Sequence, residues 1–282
     1  MQWDVTSAMT MSGSTLHTQH ETSLLTVIKA GGSILQGGDG AAALAEVVET
    51  AKKGGHDVIL VNGGGTEIDR LCSRLSVDTR KYRGLRITTG EVLDIVQMAL
   101  SKKSNEIAIT LLAHGINAVP LPAFASSIVK CRKKPDPEGV DLGFVGEVEN
   151  VDTTLLLSLV RGGAVPVIYP VAADSSSNLY NINADELASE VASAVGAGSL
   201  VLATDVGGVI VDSVVQNVIN AGSINLLESS GKLQGGMIPK LKAARNALNS
   251  GVRKVAIVDG RNPANLINFY REGVIIGTEI QS

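Results

Sequence analysis

Apolar residues along the chain follow two rhythms. Runs that are apolar throughout, or broken by a single threonine at Thr26, occur over 24–28, at Val58-Ile59-Leu60-Val61, over 164–170, at Leu200-Val201-Leu202-Ala203, at Val255-Ala256-Ile257-Val258 and at Val274-Ile275-Ile276. Runs that do not alternate with polar residues predict strands buried on both faces, the habit of a parallel sheet. Between them, apolar positions recur every three or four residues: Ile68, Leu71 and Leu75; Leu187, Val191 and Val195; Ile238, Leu241, Ala244 and Leu248. That spacing puts each set on one face of a helix. Similar patterns predict helices over 41–53, 91–114, 151–161 and 223–230, and one ending at Tyr270. Strand and helix alternate, so the expected class is α/β, with helices on both faces of a mainly parallel sheet. Residues 130–143 break the pattern: their prolines and charges exclude a central strand and predict a hairpin or flap with a charged tip.

Polar residues of an unusual kind stand where the apolar runs end. The first strand closes on Lys29, followed by Gly31-Gly32-Ser33; the second closes on Asn62, followed by Gly63-Gly64-Gly65. A lysine there is costly to bury without an anion, and paired glycines let backbone N–H groups approach a phosphate. Each loop alone also fits an ordinary turn with a solvated lysine. Used twice before Leu75, at the carboxyl ends of parallel strands, the loops predict one shared crevice.

Asn181-Ile182-Asn183-Ala184-Asp185 enters the helix that bears Leu187, with Asn183 or Asp185 placed to cap it. A polar helix entry between apolar strands is where α/β proteins hold anions. Lys240 follows Pro239 in the first turn of another helix, where the macrodipole disfavours a cation unless an anion is shared. Lys29, Asp185 and Lys240 are therefore expected to form one polar centre, of the kind a small-molecule kinase needs. Arg86 is either a fork for a substrate carboxylate or a surface arginine near a helix start. Thr204-Asp205-Val206-Gly207-Gly208 either borders a nucleotide or makes an Asx-type turn.

Composition narrows the choice. The chain has 282 residues, 44% hydrophobic and 3% aromatic, with 31 glycines, enough for one large α/β domain or two lobes sharing a sheet. A net charge of −4 without a basic run argues against nucleic acid. Cys72 and Cys131 form no CxxC pair, so a reduced, cytoplasmic setting is expected and zinc is not. No apolar run reaches the length that spans a bilayer. Neither a P-loop nor a dinucleotide fingerprint is present. Residues 1–22 lack the order of a secretory signal and read as a disordered leader or an unusual start site, or else as an arm packing on a neighbouring subunit through Trp3.

In order, these pieces resemble the amino-acid kinase family. The resemblance is carried by Lys29-Ala30-Gly31-Gly32-Ser33, Asn62-Gly63-Gly64-Gly65, Gly84-Leu85-Arg86-Ile87-Thr88 and Asn181-Ile182-Asn183-Ala184-Asp185. It continues in Thr204-Asp205-Val206-Gly207-Gly208-Val209, Gly235-Gly236-Met237-Ile238-Pro239-Lys240, Asp259-Gly260-Arg261 and Gly277-Thr278-Glu279-Ile280. It implies an αβα sandwich around one central, mainly parallel sheet in two lobes, 23–177 for the amino-acid substrate and 178–282 for ATP. The implied reaction moves the γ-phosphoryl group of ATP to the side-chain carboxylate of N-acetyl-L-glutamate, an acyl-phosphate step of arginine biosynthesis.

By matching position, Lys29 and Lys240 would stabilise the transferring group, Asp185 would orient both, and the amides of Gly32 and Gly64 would take up developing charge. Gly64, Gly65, Arg86 and Asn181 would hold the substrate. Lys29, Gly31, Gly32, Thr204, Asp205, Gly207, Gly236, Met237 and Lys240 would line the nucleotide. Mg2+ would travel on the phosphates, with no protein metal ligand. The family also implies a homodimer or higher homo-oligomer, with the 91–114 helix as a contact, and a nitrogen-signalling protein as a further partner. Asn62 and Thr66 stand where the family usually has His and Pro.

The chemistry suits these residues. A carboxylate acceptor, with a free pKa of about 4.3, is already ionised at neutral pH and needs no general base. The histidines, His17, His20, His56 and His114, all lie outside the glycine loops. Two other readings remain: a kinase for another acyl amino acid, such as carrier-linked aminoadipate or glutamate, and a non-catalytic amino-acid-sensing homologue. Retention of Lys29, Asp185 and Lys240 together weighs against the second.

Overall fold

The computed structural model describes residues 24–32, 37–135, 138–233 and 236–282, with side chains from residue 40 onward in the first helix. The expected leader over 1–22, Ser33, the flap tip at Asp136 and Pro137, and Gly235 lie outside the described residues. In chain order the elements are β1 (Leu25–Ala30), α1 (Gly37–Lys53), β2 (Asp57–Asn62), α2 (Gly65–Arg74), β3 (Arg80–Tyr82), β4 (Leu85–Ile87), α3 (Gly90–Ala113) and β5 (Ala118–Pro122). Next come β6 (Val129–Lys133), β7 (Val145–Val151), α4 (Thr154–Arg161), β8 (Val165–Tyr169), β9 (Val171–Ala173), β10 (Leu179–Ile182), α5 (Ala184–Ala194) and β11 (Ser199–Thr204). The chain ends with β12 (Val209–Val211), β13 (Val214–Gln216), β14 (Val218–Asn220), α6 (Ile224–Ser229), α7 (Met237–Asn249), β15 (Lys254–Asp259), α8 (Pro263–Glu272) and β16 (Gly277–Gln281).

Eight strands form the central sheet in the order β14-β16-β15-β11-β1-β2-β8-β5. Every pairing from β15 to β5 is parallel, and only β15–β16 is antiparallel. One face carries α1, α3 and α8, whose Val48, Ile107 and Leu266 pack with Ile28, Leu60 and Val201 of the sheet. The other carries α4, α5 and α7, whose Leu156, Leu187 and Leu241 pack with Val27, Ile59 and Leu200. The αβα sandwich is the expected one.

Strand parity decides where the chemistry goes. Successive side chains of β1 alternate between faces, so Lys29 shares the α5 face with Leu25 and Val27, while Ile28 and Ala30 face α1. The chain leaves β1 for β2 on one side and later returns to β11 on the other. Such a switch point opens a crevice beyond the carboxyl ends of the strands. Beside it, β6, β7, β9 and β10 curl into a small closed barrel that sets Asn181 against Val145. The β3–β4 hairpin turns through Arg83 (φ +49°) and Gly84 (φ +82°), both positive as its two-residue turn requires.

Two expected elements shift. The helix expected over 151–161 begins later: Val151 belongs to β7, and α4 opens where Asp152 Oδ1 accepts from the Thr154 N–H at 2.8 Å. Val274-Ile275-Ile276 is not a strand. Gly273, at φ 70°, ends α8, Val274 and Ile276 are exposed, and the last strand is Gly277–Gln281. The polar Thr278 is buried there because its hydroxyl donates to Gln216 O and accepts from the Val209 N–H. Among the described residues of the span 130–143, expected as a hairpin or flap, only Lys130–Lys133 are strand, in β6 of the barrel; its antiparallel partner β7 begins at Val145, beyond the span.

Candidate active site

Asp185 sits in the first turn of α5. Asn183 caps that helix, its Oδ1 accepting from the backbone N–H groups of Asp185 (2.9 Å) and Glu186 (3.1 Å). Because Asn183 takes the cap, the Asp185 carboxylate is free for other work. Its Oδ1 lies 2.9 Å from Lys29 Nζ, and its Oδ2 accepts from Lys240 Nζ at 2.8 Å. Lys29 and Asp185 are only 6% and 5% exposed. Burial pushes the Asp185 carboxyl up, but the Lys29 and Lys240 ammoniums outweigh it and hold the group at about 2. Burial draws the Lys29 ammonium below its ordinary value; Asp185 opposes this and Lys240 adds to it. The Lys29 ammonium is the charge partner of Asp185 Oδ1, as Lys240 is of Oδ2. Two cations around one carboxylate leave one net positive charge facing the crevice.

The glycine loops after β1 and β2 meet above this centre. The Gly63 N–H donates to Ala30 O at 2.8 Å. A Cβ on Gly32 would stand 2.9 Å from the backbone nitrogen of Gly65 and 3.1 Å from the carbonyl carbon of Gly64, so only glycine fits. A Cβ on Gly64 would stand 2.7 Å from Leu100 Cδ2. Glycine backbone packed this closely beside a net positive charge is an arrangement that can accept an anion.

At the other end lies Arg86, which is buried rather than a surface arginine. Its Nη2 lies 2.5 Å from Asp69 Oδ1 and donates to Gly65 O at 3.2 Å, and its Nη1 donates to Thr79 Oγ1. Asn181 Nδ2 donates to Thr88 Oγ1 at 3.2 Å, and Thr88 Oγ1 donates to Arg86 O at 2.9 Å. Arg86, Asn181 and the Gly63–Gly65 loop are thereby linked.

A cleft of about 450 Å³ joins the two ends. Its lining includes Lys29, Gly31, Gly32, Gly64, Gly65, Arg86, Asn181, Asp185, Thr204, Asp205, Gly236, Met237 and Lys240. Gly207 stays outside the lining, exposed, with its Cβ position 3.5 Å from Val215. Of the two positions that depart from the family pattern, Thr66 lines the cleft. The Asn62 side chain turns away and donates to Leu100 O on α3 at 3.5 Å. Two charged residues that sequence reasoning missed, Asp69 and Lys81, also line the cleft. Asp69 lies one helical turn after Gly65, and that spacing was the available signal.

Residues 25–259 match the amino acid kinase family, and the chain belongs to that family. It is 40% identical over 260 residues to an acetylglutamate kinase of Symbiobacterium thermophilum, covering 88% of this chain and 89% of the relative. It is 38% identical to an acetylglutamate kinase of Geobacillus thermodenitrificans, covering 90% of this chain and 95% of that one. Among solved structures, a Streptococcus mutans protein superposes with a TM-score of 0.78 at 26% identity, over 92% of this chain and 99% of that one. The N-acetylglutamate synthase of Neisseria gonorrhoeae, complexed with coenzyme A and N-acetyl-glutamate, has a TM-score of 0.82 at 21% identity, which speaks for the fold alone. There the match covers 92% of this chain and 60% of the other.

Proposed function

We propose that the chain transfers the γ-phosphoryl group of ATP to the side-chain carboxylate of N-acetyl-L-glutamate, forming N-acetylglutamyl phosphate. The observation that carries this is the Lys29–Asp185–Lys240 group, built on the buried Lys29 and Asp185, at one end of a cleft whose other end holds Arg86 and Asn181. Phosphoryl transfer asks mainly for positioning and charge stabilisation. A carboxylate oxygen attacks the γ-phosphorus, the bond to the β–γ bridging oxygen breaks, and ADP leaves with that electron pair. Lys29 and Lys240 offset charge on the transferring oxygens. Asp185 holds both ammoniums in register, and the N–H groups of Gly32 and Gly64 donate to the same oxygens. Arg86, Asn181, Gly64 and Gly65 hold the acylated amino acid. Gly31, Thr204, Asp205, Gly236 and Met237 border the nucleotide. Mg2+ would be held by the ATP phosphates and would offset their charge, with few protein ligands needed for a small hard cation.

On this reading residues 23–177 form the substrate lobe and 178–282 the ATP lobe. A cytoplasmic setting is supported by Cys72 and Cys131, both buried and free. A homo-oligomer is supported by the exposed apolar residues Met98, Ile109 and Leu112 on α3.

The test is an ADP-release assay with Mg-ATP across N-acetylglutamate, glutamate, aspartate and N-acetylaminoadipate. Selective turnover of N-acetylglutamate is expected. Preference for another acid would move the substrate, and the absence of turnover with all four would favour a sensor.

A further inference from the structure

Lys81 stands directly opposite Arg86 across the β3–β4 hairpin. Two cations paired this way on one face of a ribbon repel each other. Asp69 removes the conflict: its Oδ1 lies 2.5 Å from Arg86 Nη2 and its Oδ2 lies 3.2 Å from Lys81 Nζ. All three residues line the cleft. The cleft therefore contains two groups of one design, Lys29–Asp185–Lys240 and Arg86–Asp69–Lys81. In each, one carboxylate gives an oxygen to each of two cations and leaves one net positive charge.

The second group also joins two elements that must agree for a substrate to fit. Asp69 lies on α2, the helix that begins at Gly65, and the Gly65 carbonyl accepts from the same Nη2 of Arg86. The hairpin brings Arg86 and Lys81; the helix brings the glycine loop. Asp69 is the side chain that clamps one to the other through both cations.

We propose that Asp69 is a positioning residue for the acceptor substrate, holding Arg86 and Lys81 as one anchor for its free carboxylate. This rests on the reading of Arg86 as a substrate-holding residue. The opposite role, a competing anion that substrate must displace from Arg86, predicts the opposite sign. Loss of the Asp69 charge weakens substrate binding in the first case and tightens it in the second.

Steady-state kinetics on the full chain separate them, using wild type, Asp69→Asn, Arg86→Lys and the double variant, with N-acetylglutamate and ATP varied in turn. Asp69→Asn keeps the side chain's size and removes its charge. It is expected to raise the KM for N-acetylglutamate about ten-fold or more, with kcat and the KM for ATP within about two-fold of wild type. In the Arg86→Lys background the same change is expected to add clearly less than its full effect, because the Arg86 fork is one of the two contacts through which Asp69 acts. An unchanged or lowered KM in Asp69→Asn, or its full effect added in the Arg86→Lys background, overturns the proposal. If Arg86→Lys alone leaves the KM unchanged, the reading of Arg86 falls too, and the two failures are told apart.

Discussion

Lys240 donates to Asp185 Oδ2 at 2.8 Å, and this contact joins the first turns of two helices, α7 and α5. A carboxylate suits a helix N-terminus and an ammonium does not. Asp185 supplies the anion that Lys240 needs in that position. The pair thus holds a cation at the mouth of the cleft against the field of its own helix.

Lys240→Ala is expected to lower kcat by about a hundred-fold or more, the scale of losing one charge-stabilising donor. The melting temperature should move little, because Lys29 still pairs with Asp185. Kinetics beside a thermal melt check this, and near-normal kcat in a folded variant would remove Lys240 from the mechanism.

Asp185→Asn leaves two ammoniums without their carboxylate, and loss of one partner of a buried pair costs about 3–5 kcal/mol. The sign with pH follows from a folded-state value held down at about 2 against 3.8 for the free group. The stabilisation is complete above the free value and is lost as pH falls through the folded one. The stability gap between wild type and Asp185→Asn should therefore be wide at neutral pH and shrink from about pH 4 towards about pH 2. Denaturant titrations across that range measure it; a gap independent of pH would refute the assignment.

Lys29 must carry its proton to offset phosphoryl charge, and burial lowers its hold on that proton. On its alkaline side, kcat/KM is expected to fall below the ordinary lysine value of 10.5. Lys29→Arg, whose guanidinium keeps its charge, should lower the rate and remove that limb. A limb unchanged in Lys29→Arg would assign it to another group.

Gly32→Ala places a Cβ 2.9 Å from the Gly65 nitrogen, against backbone that cannot rotate away. The two glycine loops must then part, and misplacement of about 1 Å costs up to about a hundred-fold in rate. A fall in kcat of at least about ten-fold is expected, with native-like circular dichroism. Wild-type kcat would show that the loops tolerate separation.

Legibility in the sequence followed physical cause. Lys29, Asp185 and Lys240 were readable because each interrupts a strong local pattern: a cation closing an apolar strand, or a charge in the first turn of a helix. The parallel sheet was readable from its near-continuous apolar strands. The last strand was not, because Thr278 hides its polarity in two hydrogen bonds while the more apolar Val274 and Ile276 lie exposed. The small barrel was also hidden, since its register sets Asn181 beside Val145 through pairings that no local period encodes. Asp69 interrupts no local pattern of α2; only the hairpin fold, with Lys81 opposite Arg86, gives it a task.

The most direct measurement traps the product with hydroxylamine during turnover of Mg-ATP and N-acetylglutamate. The account predicts hydroxamate formed in step with ADP, because the acceptor is a carboxylate and the product an acyl phosphate. ADP released without hydroxamate would contradict phosphoryl transfer to a carboxylate.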